Sequence, residues 1–124
     1  MYIPFNSNPC NKRVGDCTIR ALTKALDMSW EDAYMKLCMQ GLLLCDMPSS
    51  NAVYGSFLQE HGFEREVVPN SCPDCYTVNQ FCRDYPMGTY ILATGSHVVC
   101  VIDGNYYDTW ESGDEVPLLV FRKE

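Results

Sequence analysis

A chain of 124 residues fits one domain and leaves little room for a second core, and 47% hydrophobic residues are enough to pack that one. A net charge of −7, with nine scattered Lys and Arg, excludes a sequence-independent grip on nucleic acid, which needs a basic cluster to displace counterions. No run approaches the roughly 20 apolar residues of a membrane span, and the start MYIPFNSNPCNKRVGDC lacks the pattern of a secretion signal; the expectation is a cytoplasmic protein with no membrane partner.

In chain order, the first half reads as helical. Apolar residues recur at helical spacing in Cys17, Ile19, Ala21, Leu22, Ala25 and Leu26, and again in Trp30, Ala33, Tyr34, Leu37 and Cys38. Ser29, with Asp32 three residues on, caps the second helix, and Gly41 is placed to end it. The loop from Gly41 to Asn51 carries Leu42, Leu43, Leu44 and Met47, which are expected in the core or bordering a cleft. A third helix follows from about Ser50 to His61, with Val53, Phe57 and Leu58 as its apolar face and Gly62 as its terminator. A fourth, shorter one spans Val78 to Asp84 and stops before Pro86.

Beyond Pro86 the pattern changes to β-rich runs at Thr89 to Ala93, His97 to Ile102, Asn105 to Thr109 and Val116 to Arg122. Asp103-Gly104 between two of them is a hairpin signal, because both residues tolerate positive φ. Helices first and strands afterwards predict an α+β fold, with N-terminal helices packed on a C-terminal antiparallel sheet in a single domain over residues 1–124.

Eight cysteines, without an export signal, are expected mostly as free thiols. Cys38 and Cys100 lie in apolar patterns and read as small buried hydrophobes. Cys72-Pro73-Asp74-Cys75, with Cys82 seven positions on, has a spacing that zinc uses, but a second pair is absent; an exposed turn with incidental thiols is the expectation, and no metal is assigned.

Cys17 differs in position. Gly15-Asp16-Cys17 precedes the first helix, so the thiol stands near a helix N-terminus, where unpaired N–H groups and the positive dipole end favour the nucleophilic thiolate. His97 opens an apolar strand after Thr94-Gly95, which lets the ring reach into a cleft while the strand holds it still. His61, at the end of a helix, is explained by a solvated role complementing the dipole. Asp108 lies on the strand that pairs with the His97 strand through Asp103-Gly104, where its carboxylate can fix the imidazole tautomer. Trp110 is placed to shield the His97–Asp108 contact from water.

The order Cys, His at a strand start, then Asp followed two positions later by Trp resembles the papain-like cysteine peptidases, the last motif reading Asp108-Thr109-Trp110. The Asp16-Cys17 pair before a helix is similar to the bacteriocin-processing peptidase branch and to small phage and bacterial proteins with that core. The resemblance covers about residues 11–110 and rests on three short motifs. It implies a papain-like fold, no cofactor, and a peptide or protein substrate cleaved by a Cys17, His97 and Asp108 triad through a thioester. The family usually places a Gln six residues before the nucleophile as an oxyanion donor; here that position is Asn11, which carries the same amide on a shorter arm, with Asn8 as a second candidate. The same three residues also fit an acyltransferase or deamidase, and the fold without turnover fits a phage-type binding module that inhibits a host protein.

Overall fold

The computed structural model of the protein describes residues 1–69 and 74–123. Among these, four helices and a six-stranded mixed sheet form an α+β fold. Helix α1 (Cys17–Leu26) buries Ala21 and Leu22 and ends at Asp27, whose φ of 52° turns the chain out of the helix. Helix α2 (Trp30–Leu44) begins as the sequence predicts, with the Asp32 N–H donating to the Ser29 hydroxyl at 3.1 Å.

Gly41 does not end α2. The helix runs on to Leu44 and is capped by Cys45 at φ 54°. Gly41 is needed for another reason: the chain folds back over it, the Asp46 N–H donates to the Gly41 carbonyl at 2.9 Å, and a Cβ at Gly41 would lie 2.8 Å from the Asp46 carbonyl oxygen. Leu42, Leu43, Leu44 and Met47 are exposed, which corrects their expected burial; with the helix prolonged, the neighbouring Gln40 and Gly41 face inward and these four face out.

Helix α3 (Asn51–Glu60) is capped by Ser50, whose hydroxyl accepts from the Ala52 N–H, and is followed by Gly62 at φ 86°. Helix α4 (Val78–Asp84) carries a reciprocal cap between Thr77 and Gln80.

The strands are β1 (Tyr2–Pro4), β2 (Phe63–Val67), β3 (Thr89–Ala93), β4 (Val98–Ile102), β5 (Asn105–Asp108) and β6 (Leu119–Lys123), in the order β1-β5-β4-β3-β6-β2. Asp103 and Gly104 adopt φ of 50° and 77° in the β4–β5 hairpin, as their types require. The sheet is not wholly antiparallel: β1 lies parallel to β5, with Tyr2 opposite Tyr106 and Pro4 opposite Asp108. It holds one edge and β2, antiparallel to β6, holds the other.

Strand alternation divides the core in two. Ile91, Ala93, Val98, Cys100 and Phe121 pack against Leu22, Leu37, Val53, Tyr54 and Leu58 of α1, α2 and α3. Tyr90, Leu92, Val99, Val101 and Val120 pack on the other face with Val78 and Phe81 of α4. Covering both faces explains why β4, Val-Val-Cys-Val-Ile, is an unbroken apolar run. No helix among the described residues is long and apolar enough to cross a membrane.

Candidate active site

Three elements converge at one end of the sheet. Cys17 is the first residue of α1, His97 immediately precedes β4, and Asp108 ends β5. Asp108 lies one residue beyond the last registered β4–β5 pair, Cys100–Tyr107. The His97 Nε2 to Asp108 Oδ2 distance is 2.5 Å, with both side chains buried. Nε2 is thus committed to the carboxylate, which leaves Nδ1 as the ring nitrogen available to Cys17, the neighbour with which His97 interacts.

Asp108 is fully buried and each of its oxygens has two partners. Oδ1 accepts from the Arg20 guanidinium at 2.9 Å and the Thr109 N–H at 2.8 Å; Oδ2 faces His97 and accepts from the Ser112 hydroxyl at 2.5 Å. Arg20 also donates to Asp16 Oδ1 at 2.7 Å, and Asp16 Oδ2 accepts from Trp30 Nε1 at 2.9 Å. A continuous polar chain, buried at its centre, therefore runs from Trp30 through Asp16, Arg20, Asp108 and His97 to Cys17. Helix α4 holds the segment that delivers Ser112: its free N-terminal donors at Val78 and Asn79 bond the carbonyls of Glu115 and Gly113 at 3.0 and 2.9 Å.

This network sets the protonation states. Burial pushes Asp108 up, but the hydrogen bonds from His97 and Ser112, the charge of His97 and the Thr109 N–H outweigh it and hold the carboxyl below its usual value; Arg20 acts in the same direction. Burial pulls His97 down, but its bonds to Asp108 and Cys17 and their charges raise it to about 9. Burial raises Cys17, yet the His97 bond, the Val98 backbone N–H, the His97 charge and the Thr18 hydroxyl together lower it. Burial pushes Cys82 up, and Cys100 up to about 12. The arrangement favours a Cys17 thiolate beside a His97 imidazolium.

Cys17 and His97 open on a cavity of about 370 Å³ bordered by Gly15, Ser49, Asn51 and Tyr54. Its described lining contains no Lys, Arg, Asp or Glu. Trp110, 46% exposed, lies against His97 with ring centroids 5.1 Å apart and covers part of the imidazole.

Two expected site residues are placed differently. Asn11 is exposed, in a left-handed turn at φ 54°, and borders a separate hollow with Tyr2, Asn6 and Arg13 rather than the Cys17 cavity. The amide oxygen of Asn8 accepts from the backbone N–H groups of Cys10 and Lys12. Both belong to a turn that Asn side chains stabilise, which a count back from Cys17 does not reveal. Asp16 stands beside Cys17 but acts through Arg20 and Trp30, making no side-chain cap on α1. His61 donates from Nδ1 to the Phe57 carbonyl at 2.8 Å, as part of the α3 terminus.

Sequence reasoning missed Arg20, Ser112, Asn51 and Tyr54. Asp16 and Arg20 form a buried i,i+4 pair at the start of α1, a visible signal; nothing local distinguishes the other three. Cys38 is half-buried and Cys100 fully buried. Cys72 and Pro73 lie outside the described residues; Cys75 is disulfide-bonded, whereas Cys10, Cys17, Cys38, Cys45, Cys82 and Cys100 are free. Among the described residues, no group of three or more His, Cys, Asp and Glu is arranged to hold a metal ion. Comparison with protein-family models, curated proteins and solved structures found no match.

Proposed function

We propose that the chain is a cysteine hydrolase of papain-like arrangement that cleaves a peptide or isopeptide bond through a thioester intermediate. The observation that carries this reading is the hydrogen-bonded line Cys17–His97–Asp108, ending in a fully satisfied carboxylate and opening on a cavity. A structural role for the cysteine does not call for an imidazole raised to about 9 beside a thiol whose pKa is lowered. Apart from the Cys17–His97 pair the described lining is uncharged, which suits a neutral acyl group such as a backbone carbonyl.

In the proposed reaction the Cys17 sulfur attacks the carbonyl carbon, and the carbonyl π electrons move to oxygen. The His97 imidazolium protonates the leaving amine as the C–N bond breaks, leaving an acyl thioester on Cys17. His97, now neutral, takes a proton from water, whose oxygen attacks the thioester and releases the acid. Asp108 stays ionised throughout, holding the tautomer and stabilising the imidazolium.

The test is limiting iodoacetamide near pH 6, with the modified cysteines mapped by mass spectrometry in wild type and His97→Ala. An ordinary thiol, with a pKa of about 8.5, is almost wholly protonated there. Cys17 is expected to react roughly 10²-fold faster than exposed Cys10 and Cys45, and to lose that lead without His97. Even labelling of the three would sink the reading.

A further inference from the structure

With Asn11 on a separate hollow, the proposed reaction lacks a side-chain donor for the oxyanion. The Cys17 cavity holds one of matching chemistry. Asn51, the first residue of α3, borders it together with Cys17 and Tyr54. The phenol of Tyr54, a residue 1% exposed, donates to Asn51 Oδ1. That bond commits the oxygen arm of the amide inward, leaving the Nδ2 hydrogens as the free arm, and no group among the described residues accepts from them. Tyr54 and Cys17 line the same cavity, and the negative charge of Cys17 adds to the larger effect of burial in raising Tyr54 to about 12.

The other polar groups of the cavity are less suited. The Thr18 hydroxyl is bonded to Cys17 and the Thr94 hydroxyl to the His97 carbonyl; Ser49 and Ser96 are exposed, as Asn51 is, but among the described residues no second side chain orients their hydroxyls as Tyr54 orients the Asn51 amide.

We infer that the Asn51 side-chain amide, oriented by the Tyr54 hydroxyl, donates from Nδ2 to the oxyanion that forms when Cys17 attacks a carbonyl. This rests on the hydrolase reading and deepens it. Asn51 is a catalytic residue in the strict sense, because it touches the reacting oxygen, and Tyr54 is a positioning residue. The donor comes from the helix after the α2–α3 loop, and not from the segment before the nucleophile.

Two probes separate this role from a structural one. p-Nitrophenyl acetate acylates a thiolate through a tetrahedral oxyanion: sulfur attacks the carbonyl carbon, the π electrons move to oxygen, and their return expels p-nitrophenolate and leaves an acetyl thioester on Cys17. Iodoacetamide alkylates by displacing iodide at a saturated carbon, with no oxyanion. The ratio of the two Cys17 rates therefore reports oxyanion stabilisation, and alkylation also reports that the site is folded. One oxyanion donor in an optimised site is worth about 10²–10³ in rate.

In Asn51→Ala the acylation rate is expected to fall at least about tenfold while alkylation is unchanged. Tyr54→Phe, which keeps the ring and the core packing, is expected to give a smaller loss in the same direction, and Asn11→Ala none. A ratio unchanged in Asn51→Ala, or acylation and alkylation falling together, overturns the inference while leaving Cys17 as nucleophile. A wild type whose Cys17 shows no selective alkylation overturns both.

Discussion

Arg20 stands between two buried carboxylates, Asp16 and Asp108, and its own side chain is 5% exposed. Its removal leaves both acids in a low-dielectric interior without their cation, and breaking a buried pair in this way costs about 3–5 kcal/mol. Arg20→Met is therefore expected to lower the urea midpoint sharply. Arg20→Lys recovers only part of the loss, because a single ammonium cannot reproduce the planar fork that reaches both carboxylates. Ser112→Ala is a milder test. It removes one hydrogen bond to a charged group, about 1.5–3 kcal/mol, and is expected to weaken Cys17 alkylation near pH 6 by loosening Asp108 under His97. At this scale Cys17, His97 and Asp108 were legible because a helix start, a strand start and a hairpin partner are local patterns. Asn51 and Ser112 were not, because what brings them to the site is a folded-back loop and a segment held by α4, neither of which has a period. Asn11 was assigned from a family's spacing, and spacing along a turn does not carry direction.

Gly41 shows how an element can mislead. Gly to Ala inside a helix ordinarily stabilises by about 0.5–1 kcal/mol. Here the sign reverses: the added methyl would lie 2.8 Å from the Asp46 carbonyl oxygen and 3.3 Å from the Pro48 nitrogen, both backbone atoms. Gly41→Ala is expected to lower the melting temperature, measured by circular dichroism, and to disturb the loop leading to Ser49 and Asn51. The helices and the four strands β3, β4, β5 and β6 could be read because each has its own caps, turn residues or apolar run, although the run expected from Val116 is a strand only from Leu119. Strand β2, Phe-Glu-Arg-Glu-Val, buries only its first residue, so the edge position erases the alternation that signals a strand. Strand β1 is three residues long and ends in Pro, and its parallel partner lies at the other end of the chain; no hairpin logic reaches it.

For the molecule as a whole, the Cys17–His97 pair governs stability near neutral pH. His97 is raised from 6.5 to about 9 in the folded state, so its contribution is full below 6.5 and lost as pH climbs through 9. Cys17 is lowered from 9.0, so its contribution is full above 9.0 and lost as pH falls through the folded value. Where Cys17 is ionised in the folded state and both groups are otherwise neutral in the unfolded chain, each state holds one proton, on His97 or on Cys17, and the slopes cancel. Wild-type unfolding free energy is therefore expected to be level across that window. Cys17→Ser removes one side of the balance while Asp108 still holds a proton on His97, and stability should fall as pH rises above 6.5, by up to about 1.4 kcal/mol per pH unit. Urea titrations at several pH values check this. Asp108, held below its ordinary 3.8, adds stability that is present above that value and lost as pH falls below it.

The bond between Arg20 and Asp108 spans 88 residues of sequence. A ribosome adding about 5–20 residues per second takes roughly 4–18 seconds to cover that distance. For that interval α1 exists without the strands that complete its polar face, Asp16 and Arg20 have only each other, and the sulfur at position 17 has no imidazole beside it. A nascent chain therefore carries an ordinary thiol at position 17 until translation has passed His97 and Asp108, and the network that favours its thiolate is complete only then.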